Sequence, residues 1–449
     1  MNRRTKDTLI VGFALFSMFL GAGNLIFPPY LGLHSGEGWL PVLLGFVLTG
    51  VGLPLCAVYA ILKSGGTIMT MARHIGKPFG RALGLIVVLA IGPMFAIPRT
   101  AATVYEVGVA PIAPGVNITL SSLVFFAIVL ALSINNSKVV DRLGKFLTPF
   151  LMLTLFAICV AAILNPVGEP GTAAAPVYNF AGGFTEGYQT MDALAATMFA
   201  GVALSNIVAR GYNVREEQLS MSIRAGVIAT MLLALVYCGL TFGGAGCTDA
   251  FPADVERSAL LVGMTKGLLG SLGAYCLSAA VSLACLTTAV GLCVTTGQYF
   301  NELSGGKLHY KHVVVVTVIV SALISVLGVT TIINLAVPFL YLVYPVLMAL
   351  VICTVFDKFL PNKNAYTGAV IGAFLISIID ALSTVGGLGI SAAWIDSLVA
   401  FGKTLPLASF GLAWVIPSII LAVIFSFIPR KKDTSEVVFS IYDEENANK

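Results

Sequence analysis

The sequence predicts an all-α polytopic membrane protein, and its composition and its apolar runs both point to this class. Of the 449 residues, 58% are hydrophobic and only 10% are charged, with a mean hydropathy of +0.96. An ordinary soluble domain carries about 25% charged residues, so this composition indicates a chain surrounded by lipid. The apolar runs are continuous rather than alternating, which favours transmembrane helices over a β-barrel.

Twelve apolar runs are long enough to cross a bilayer, whose hydrocarbon core requires about 20 apolar residues per helix. Glycine, proline and asparagine mark the joins between the runs, as expected where helices end. The predicted spans are 8–33, 39–62, 81–110, 119–135, 139–164, 188–209, 222–246, 271–299, 312–329, 332–356, 366–385 and 407–429. The chain is therefore expected to form a single membrane domain, followed by a cytoplasmic tail over 430–449.

The charges predict how the chain is oriented in the membrane. Basic residues occupy the amino terminus and every second join, whereas the alternate joins are mainly acidic. The basic positions include Arg3, Arg4, Lys6, Lys63, Arg73, Lys138, Arg142, Lys145, Arg210, Arg215, Lys307, Lys358 and Arg430. By the positive-inside rule, both termini are cytoplasmic. The regular alternation supports an even number of spans, because one missed helix would invert every later join.

Several function classes are disfavoured by what the sequence lacks. No join is long enough for a nucleotide-binding domain and no G-x-x-x-x-G-K-[ST] motif occurs, so this chain alone is not expected to use ATP. The histidines lie in joins or at span ends, and the cysteines form no C-x-x-C pair, so neither an enzyme nor a metal cofactor is indicated. The sequence suggests no nucleic-acid partner and no obligatory protein partner.

Two predicted spans contain residues that interrupt a helix. Residues 20–29 in the first span read LGAGNLIFPP, whose glycines and prolines make an unbroken helix costly. Small residues again fall at the centre of the sixth span, where residues 197–206 read TMFAGVALSN. Lipid cannot satisfy backbone groups freed at such breaks, so they are expected to line a cavity or a ligand. A kink or a close helix crossing is the alternative.

The two interrupted spans enter the membrane from opposite sides, which predicts two inverted five-helix repeats. The repeats would cover 8–164 and 188–356, with two additional spans within 366–429. Free helix amino termini attract carboxylates, and exposed carbonyls coordinate cations. The sequence therefore predicts recognition of a small zwitterion or anion together with a co-transported ion. Such a single mid-membrane site is unlike the continuous polar pore of a channel.

Two motifs carry a resemblance to a known family. Residues 21–29 (GAGNLIFPP) and residues 92–100 in span three (GPMFAIPRT) resemble those of the bacterial branched-chain amino acid carriers, and the match extends through all twelve spans. The resemblance implies a cation symporter for leucine, isoleucine and valine in the bacterial cytoplasmic membrane. It also implies the leucine-transporter-type 5+5 inverted repeat of the amino acid–polyamine–cation superfamily, with helices 1 and 6 broken.

By similarity to leucine-transporter folds, the substrate would lie between the breaks of spans one and six. The implied backbone ligands of the carboxylate are Ala22, Gly23, Asn24 and Leu25. The implied carbonyl ligands of the ammonium are Phe199, Ala200, Gly201 and Val202. The side chains of Phe95, Phe199 and Val202 are candidates for the apolar wall, with ordinary packing as the alternative for the aromatic residues. One methylene is worth only about 1–3 kcal/mol in such a pocket, so poor discrimination among the three substrates is expected.

Span eight carries an Ala-x-x-Thr-Thr spacing that resembles the sodium site of this fold. Its members here are Ala284, Thr287 and Thr288, and the carbonyls below the break in span one would be those of Ser17 and Leu20. Oxygen-only ligation suits a hard cation such as Na⁺. The alternative is that these hydroxyls bond to their own preceding helical turn. No second sodium site is expected, because span seven lacks the asparagine that would complete it.

Three further candidates are ionisable residues inside predicted spans. Arg99 and Glu106 lie seven residues apart on one face of span three, as either an outer gate or an ion pair at the rim of a vestibule. Asp380 in span eleven lies outside the repeats and serves packing, an oligomer contact or a proton relay. The predicted function is sodium-coupled symport of leucine, isoleucine and valine by alternating access. The alternative is a proton-coupled symporter, or one for another neutral amino acid, with the same fold.

Overall fold

A computed structural model describes the protein over residues 3–134, 139–173, 177–385 and 392–428, and within residues 139–148 it describes the backbone only. The predicted cytoplasmic tail over 430–449 and the basic residue Lys138 lie outside the described residues. The side chains of Arg142 and Lys145 do so as well. The described part of the chain is helical and contains no β-strand.

The described residues of the first half of the chain form nine α-helices. In chain order they are α1 Arg3–Phe19, α2 Ala22–Leu33, α3 Trp39–Val47, α4 Leu53–Ser64, α5 Ile68–Met71, α6 Lys77–Leu89, α7 Ala96–Thr103, α8 Ile118–Ser133 and α9 Val139–Leu164. Three π-helical segments extend neighbouring helices, at Leu48–Gly52, Ala90–Met94 and Val104–Val109. The last two flank α7, so this short helix is set off from the segments before and after it.

Nine more α-helices lie in the part of the second half that the structure describes. They are α10 Phe180–Glu186, α11 Asp192–Val208, α12 Arg215–Ala245, α13 Arg257–Leu303, α14 Tyr310–Ser325, α15 Val329–Val355, α16 Asn364–Thr384, α17 Ala393–Thr404 and α18 Val415–Ser426. A 3₁₀ turn over Gly187–Thr190 continues α10 toward α11.

Six of these helical segments are long and apolar enough to cross a membrane. They are Gly36–Ser64, Lys77–Val109, Arg215–Ala245, Arg257–Leu303, Val329–Val355 and Asn364–Thr384. Two bent helix pairs, α1 with α2 and α10 with α11, bring the number to eight if each pair is one span. Shorter apolar helices are found at Ile118–Ser133, Pro149–Leu164, Tyr310–Ser325 and Val415–Ser426. The protein is thus an all-helical bundle with several membrane-spanning segments.

The helix at the amino terminus is interrupted at Leu20 and Gly21. There α1 ends and α2 begins after a bend of 71°. The Gly21 backbone is extended, and its amide donates to the Asn24 side chain at 3.0 Å. That amide therefore does not bond to the Ser17 carbonyl one turn earlier, and α1 cannot continue. Pro28 and Pro29, although part of the motif, lie inside α2.

The second bend differs from the sequence prediction in its position. It lies at Met191, where α10 and its 3₁₀ extension meet α11 at an angle of 43°. Met191 has a left-handed backbone with φ of 62°, which is rare for a residue with a side chain. The expected break within residues 197–206 is wrong, because α11 runs unbroken from Asp192 to Val208. Alanine is the best helix former, and a single glycine does not end the helix.

The helix that contains the predicted eighth span also begins earlier than expected. The sequence placed residues up to 270 in a join, but α13 starts at Arg257. Gly270 kinks it with φ of 68° and ψ of −167°, a conformation available to glycine. The segment before the kink, residues 257–269, buries Leu260, Leu261 and Met264 completely. It is therefore a packed helical cap rather than a solvated loop.

The interrupted helices lie at the centre of the bundle. α2 packs against α12 and α13, α1 packs against α12, and α13 also packs against α7 and α9. The crossing of α2 with α12 is close because Gly32 and Gly244 bring the two backbones together. This arrangement places the first turns of α2 and α11 beside α7 and the middle of α13.

Candidate substrate and cation site

A small cavity lies where the two bent helix pairs meet. Its volume is about 30 Å³, room for about two water molecules. Its lining comes from α1, α2, α11, α13 and the segment around α7, and comprises Met18, Phe19, Gly21, Ala22, Gly23, Asn24, Ile91, Ala96, Arg99, Thr100, Thr190, Met191, Asp192, Ala195, Phe199, Thr288 and Leu292. Both helix interruptions therefore open onto one space, and two charged side chains face it.

Asn24 joins the two interruptions through its side chain. Its carbonyl oxygen accepts from the Gly21 amide, and its Nδ2 donates to the Asp192 carboxylate at 2.5 Å. The Tyr237 hydroxyl from α12 completes the cluster, hydrogen-bonded to the Asn24 Nδ2 and lying 3.4 Å from the same Asp192 oxygen. All three side chains are buried. This cluster ties α2, α11 and α12 together at the cavity.

Asp192 is the first residue of α11, directly after the left-handed Met191. Its own amide donates to the Thr190 hydroxyl at 3.3 Å. A carboxylate at the amino-terminal end of a helix is favoured by the helix dipole. Its side chain is 3% exposed, so a charge at this depth requires compensation by partners.

Arg99 supplies the opposite charge from α7. Its Nη1 donates to the Gln189 carbonyl at 2.6 Å, while its Nε has no hydrogen-bond partner. The guanidinium lies against the first turn of α2, since a Cβ on Gly23 would stand 2.9 Å from the Arg99 Nη2. It also faces the Phe27 ring at 5.6 Å. Any larger residue at position 23 would displace the arginine.

The predicted Arg99–Glu106 pair is wrong, because the two side chains have different partners. Glu106 accepts from the Ser258 hydroxyl at 2.5 Å and from the Val329 amide at 2.9 Å, so it caps the start of α15. The π-helical turn over Val104–Val109 alters the helical spacing that the prediction assumed. Asp380 is half-buried on α16 and is not part of the cavity wall.

A different ion pair lies close to the site. Arg257, at the start of α13, donates to both carboxylate oxygens of Glu186 at 3.2 Å. Its guanidinium also covers the Phe27 ring at 4.7 Å and the Tyr30 ring at 4.4 Å. The guanidinium groups of Arg257 and Arg99 therefore both lie near the Phe27 ring. Burial raises the pKa of the Tyr178 hydroxyl, which remains protonated and lies 3.3 Å from Glu186.

The residues of the predicted cation site divide into two groups. The Thr288 hydroxyl is buried, has no hydrogen-bond partner and belongs to the cavity wall beside Gly21. The Thr287 hydroxyl instead donates to the Ala284 carbonyl at 2.9 Å, which is the local alternative weighed from the sequence. Ser17 and Leu20 lie at the end of α1. There the Gly21 amide donates to the Asn24 side chain and not to a carbonyl of α1. A buried hydroxyl and freed carbonyls are suitable oxygen ligands for a hard cation.

The predicted substrate residues also fall into two groups, those that line the cavity and those that do not. Ala22, Gly23, Asn24 and Phe199 lie in the cavity wall. Leu25, Phe95, Ala200, Gly201 and Val202 do not. Phe95 packs against Phe339 with ring centroids 5.5 Å apart. Because α11 is continuous, the carbonyls expected to receive an ammonium belong to its helical ladder, and the carbonyl of Gly201 also accepts from Ser205 at 3.0 Å.

Comparison with known proteins identifies the family. Residues 4–432 match the family described as branched-chain amino acid transport protein. The chain belongs to this family. It is 39% identical to the branched-chain amino acid permease BraB of Bacillus subtilis, covering 96% of this chain and 98% of that protein. It is 38% identical to the branched-chain amino acid transport system 2 carrier protein of Pseudomonas aeruginosa, covering 93% and 95% of the two chains.

This branched-chain amino acid transport protein also has the fold of solved transporters. Mhp1, a nucleobase-cation-symport-1 family transporter in a closed conformation, superposes with a TM-score of 0.58 at 14% identity, over 93% of this chain and 91% of that one. A manganese transporter of Eremococcus coleocola gives 0.59 at 13% identity, over 94% of each chain. Its helices are thus arranged as in leucine-transporter-type carriers. The family is one of transport proteins and not of enzymes.

Several residues at or beside the cavity could not be identified from the sequence. Asp192 and Tyr237 carry no local motif, and Glu186 and Arg257 were assigned to joins. The one available signal was Asp192 itself, a lone carboxylate near the start of a predicted span, since intramembrane charges are functional candidates. The pairing of Arg257 with Glu186 joins residues far apart in the chain, so no spacing rule reveals it.

Proposed function

We propose that this protein is a sodium-coupled symporter that carries leucine, isoleucine and valine into the cell by alternating access. The observation that carries the proposal is the cavity where the first turns of α2 and α11 meet beside the unpartnered Thr288 hydroxyl. Helix amino termini and freed carbonyls at one mid-membrane site can receive an anionic group and a cation together. The names of the similar permeases and carriers support the choice of substrate.

The proposed topology follows the sequence prediction. We propose twelve spans, made from the six long helices, the two bent pairs and the four shorter apolar helices. The first ten would form the two inverted repeats, over 8–164 and 188–356, with two further spans within 366–429. Both termini would be cytoplasmic in a bacterial inner membrane. Arg257 and Glu186 would then lie on the outer side of the cavity.

The cavity must enlarge during transport. A space of about 30 Å³ is too small for a branched-chain amino acid. Its walls must therefore separate before the substrate enters and close again around it. The break at Leu20 and Gly21 and the kink at Gly270 are positions where helical segments can tilt without breaking further hydrogen bonds.

The decisive experiment is uptake of labelled leucine into proteoliposomes that contain the purified protein. An imposed inward sodium gradient is compared with a matched potassium control and, separately, with a pH gradient. Sodium-dependent accumulation that excess isoleucine and valine abolish would support the proposal. Accumulation driven only by the pH gradient would contradict sodium coupling and direct attention to Asp192, Glu106 and Asp380.

Thr288→Ala is expected to raise the sodium concentration for half-maximal leucine binding by about tenfold, since one buried oxygen ligand of a cation is lost. Leucine affinity at saturating sodium should change little. Sodium titrations of leucine binding on purified protein measure both quantities. Thr295→Ala is the matched control, because the Thr295 hydroxyl bonds to its own helix through the Gly291 carbonyl. Equal losses in sodium and leucine affinity would argue against a separate cation site at Thr288.

We further propose that the Arg257–Glu186 pair holds the helical cap, residues 257–269, closed over Phe27 and Tyr30. Arg257→Gln should increase amide hydrogen exchange in residues 257–269 by about tenfold, since a partly buried bidentate pair is lost. Lys266→Gln is the matched control, because Lys266 is an exposed cation on the same segment. Exchange in Arg257→Gln that equals the unsubstituted protein would refute this role.

A further inference from the structure

Two opposite buried charges face the same cavity without forming an ion pair with each other. Arg99 and Asp192 are each 3% exposed, and both belong to the cavity wall. Of the ion pairs in the described ranges, none includes either residue. Separated charges at this depth are costly unless another charged group lies between them. This arrangement suits a ligand that carries both signs.

On the positive side of the cavity, a guanidinium lies beside the amino terminus of a helix. The Arg99 guanidinium is held in place by the Gln189 carbonyl, and its Nε lacks a partner. It rests on the first turn of α2, where the backbone amides of Ala22 and Gly23 begin the helix. The guanidinium and the helix dipole are both positive there, so an anion relieves their mutual repulsion. Guanidinium geometry matches the two oxygens of a carboxylate.

The negative side is the Asp192 carboxylate. Asn24 donates to one of its oxygens and the Tyr237 hydroxyl lies beside that oxygen, which fixes the orientation of the group. These two partners are neutral, and among the described residues no Lys, Arg or His side chain forms an ion pair with Asp192. An ammonium group is a compact cation that can donate to this carboxylate.

We propose that Arg99 binds the carboxylate of the transported amino acid and that Asp192 binds its ammonium. This inference rests on the proposed function and deepens it by naming the charged groups that select an α-amino acid. The apolar side chains of the wall, Phe199, Ile91 and Leu292, then face the branched side chain. Amines without a carboxylate and acids without an amine would each leave one buried charge unpaired and bind weakly.

The test crosses protein variants with ligand analogues. Leucinamide has lost the carboxylate charge, and 4-methylpentanoate has lost the ammonium. Their dissociation constants, and that of leucine, are measured by competition with labelled leucine at saturating sodium. The proteins are the unsubstituted chain, Arg99→Gln and Asp192→Asn, with Arg81→Gln and Asp396→Asn as exposed controls.

The expected result is a specific coupling between each side chain and one ligand group. Arg99→Gln should weaken leucine by about tenfold or more while affecting leucinamide by less than about threefold. Asp192→Asn should weaken leucine by about tenfold or more while affecting 4-methylpentanoate by less than about threefold. Arg99→Lys and Asp192→Glu, which keep the charges, should recover part of the affinity. The exposed controls should match the unsubstituted protein.

Other outcomes overturn the inference in distinguishable ways. Equal losses for all three ligands in Arg99→Gln or Asp192→Asn would assign the residue a structural role. Equal losses in Asp192→Asn together with a shifted sodium dependence would assign it to the coupling ion. If the unsubstituted protein binds leucine, but each substitution weakens leucine and the analogue that lacks the matching group by the same factor, this inference alone is overturned. No leucine binding at all would overturn the proposed function and this inference with it.

Discussion

Asn24→Ala is expected to reduce leucine transport by about a hundredfold, since two or more hydrogen bonds to buried or charged partners are lost together. The Asn24 side chain holds the Gly21 amide away from α1 and donates to Asp192. Without it, the Gly21 amide can return to the Ser17 carbonyl and restore the helix across the break. The substitution thus affects both the shape of the cavity and the orientation of its carboxylate. Initial rates of leucine uptake into proteoliposomes measure the effect.

Asn117→Ala is the matched control for this prediction. Asn117 also accepts a backbone amide through its side chain, from Leu120 at 2.8 Å, but it caps α8 on an exposed surface. Its loss should cost about 1 kcal/mol of stability and leave transport intact. Asn24→Asp gives a second comparison, because it keeps the acceptor for Gly21 but places a carboxylate beside Asp192. Normal transport by Asn24→Ala or Asn24→Asp would contradict the role of this cluster.

Gly244→Ala is expected to destabilise the protein strongly, because α2 and α12 cross closely at this residue. A methyl group at this position would overlap the Pro29 carbonyl oxygen, and one at Gly32 would overlap the Thr241 carbonyl oxygen. These obstacles are backbone atoms, so α2 and α12 would have to separate. Overpacking of this kind costs about 1–3 kcal/mol, and occasionally more. The expected result is a lower melting temperature in detergent. Leucine binding should also weaken, because α2 forms part of the cavity.

Gly291→Ala serves as the control for Gly244→Ala. Gly291 also lies within a long helix, α13, but an added methyl group there meets open space. Replacing a helical glycine with alanine at a compatible position favours folding by about 0.5–1 kcal/mol. The two variants should therefore shift the melting temperature in opposite directions. A Gly244→Ala protein as stable as Gly291→Ala would mean that α2 and α12 are not tightly packed.

The first interruption could be predicted from the sequence because its cause is local. Glycines at positions 21 and 23 remove side chains where the chain turns, and Asn24 can satisfy the freed amide through its own side chain. Three of the four backbone positions assigned to the carboxylate, Ala22 to Asn24, lie in the cavity wall. Thr288, which the family resemblance implied as a cation ligand, also lies there.

The second interruption could not be located in the same way. The segment Thr190-Met191-Asp192 contains neither glycine nor proline, and its strained backbone has no counterpart in local propensity. It is held by distant partners, because Arg99 bonds to the Gln189 carbonyl and Asn24 bonds to Asp192. The small residues at 197–206, which suggested a break, instead continue the helix.

The sequence by itself determined the membrane class, the family resemblance and the break after Phe19, because composition, motifs and local backbone preferences are carried by neighbouring residues. Only the tertiary structure decided the partners of the buried charges. Arg99 is near Glu106 along one helix, yet it faces the cavity that Asp192 also lines, while Glu106 caps α15. A buried charge takes the partners that helix packing brings to it, and that packing involves residues far apart in the chain.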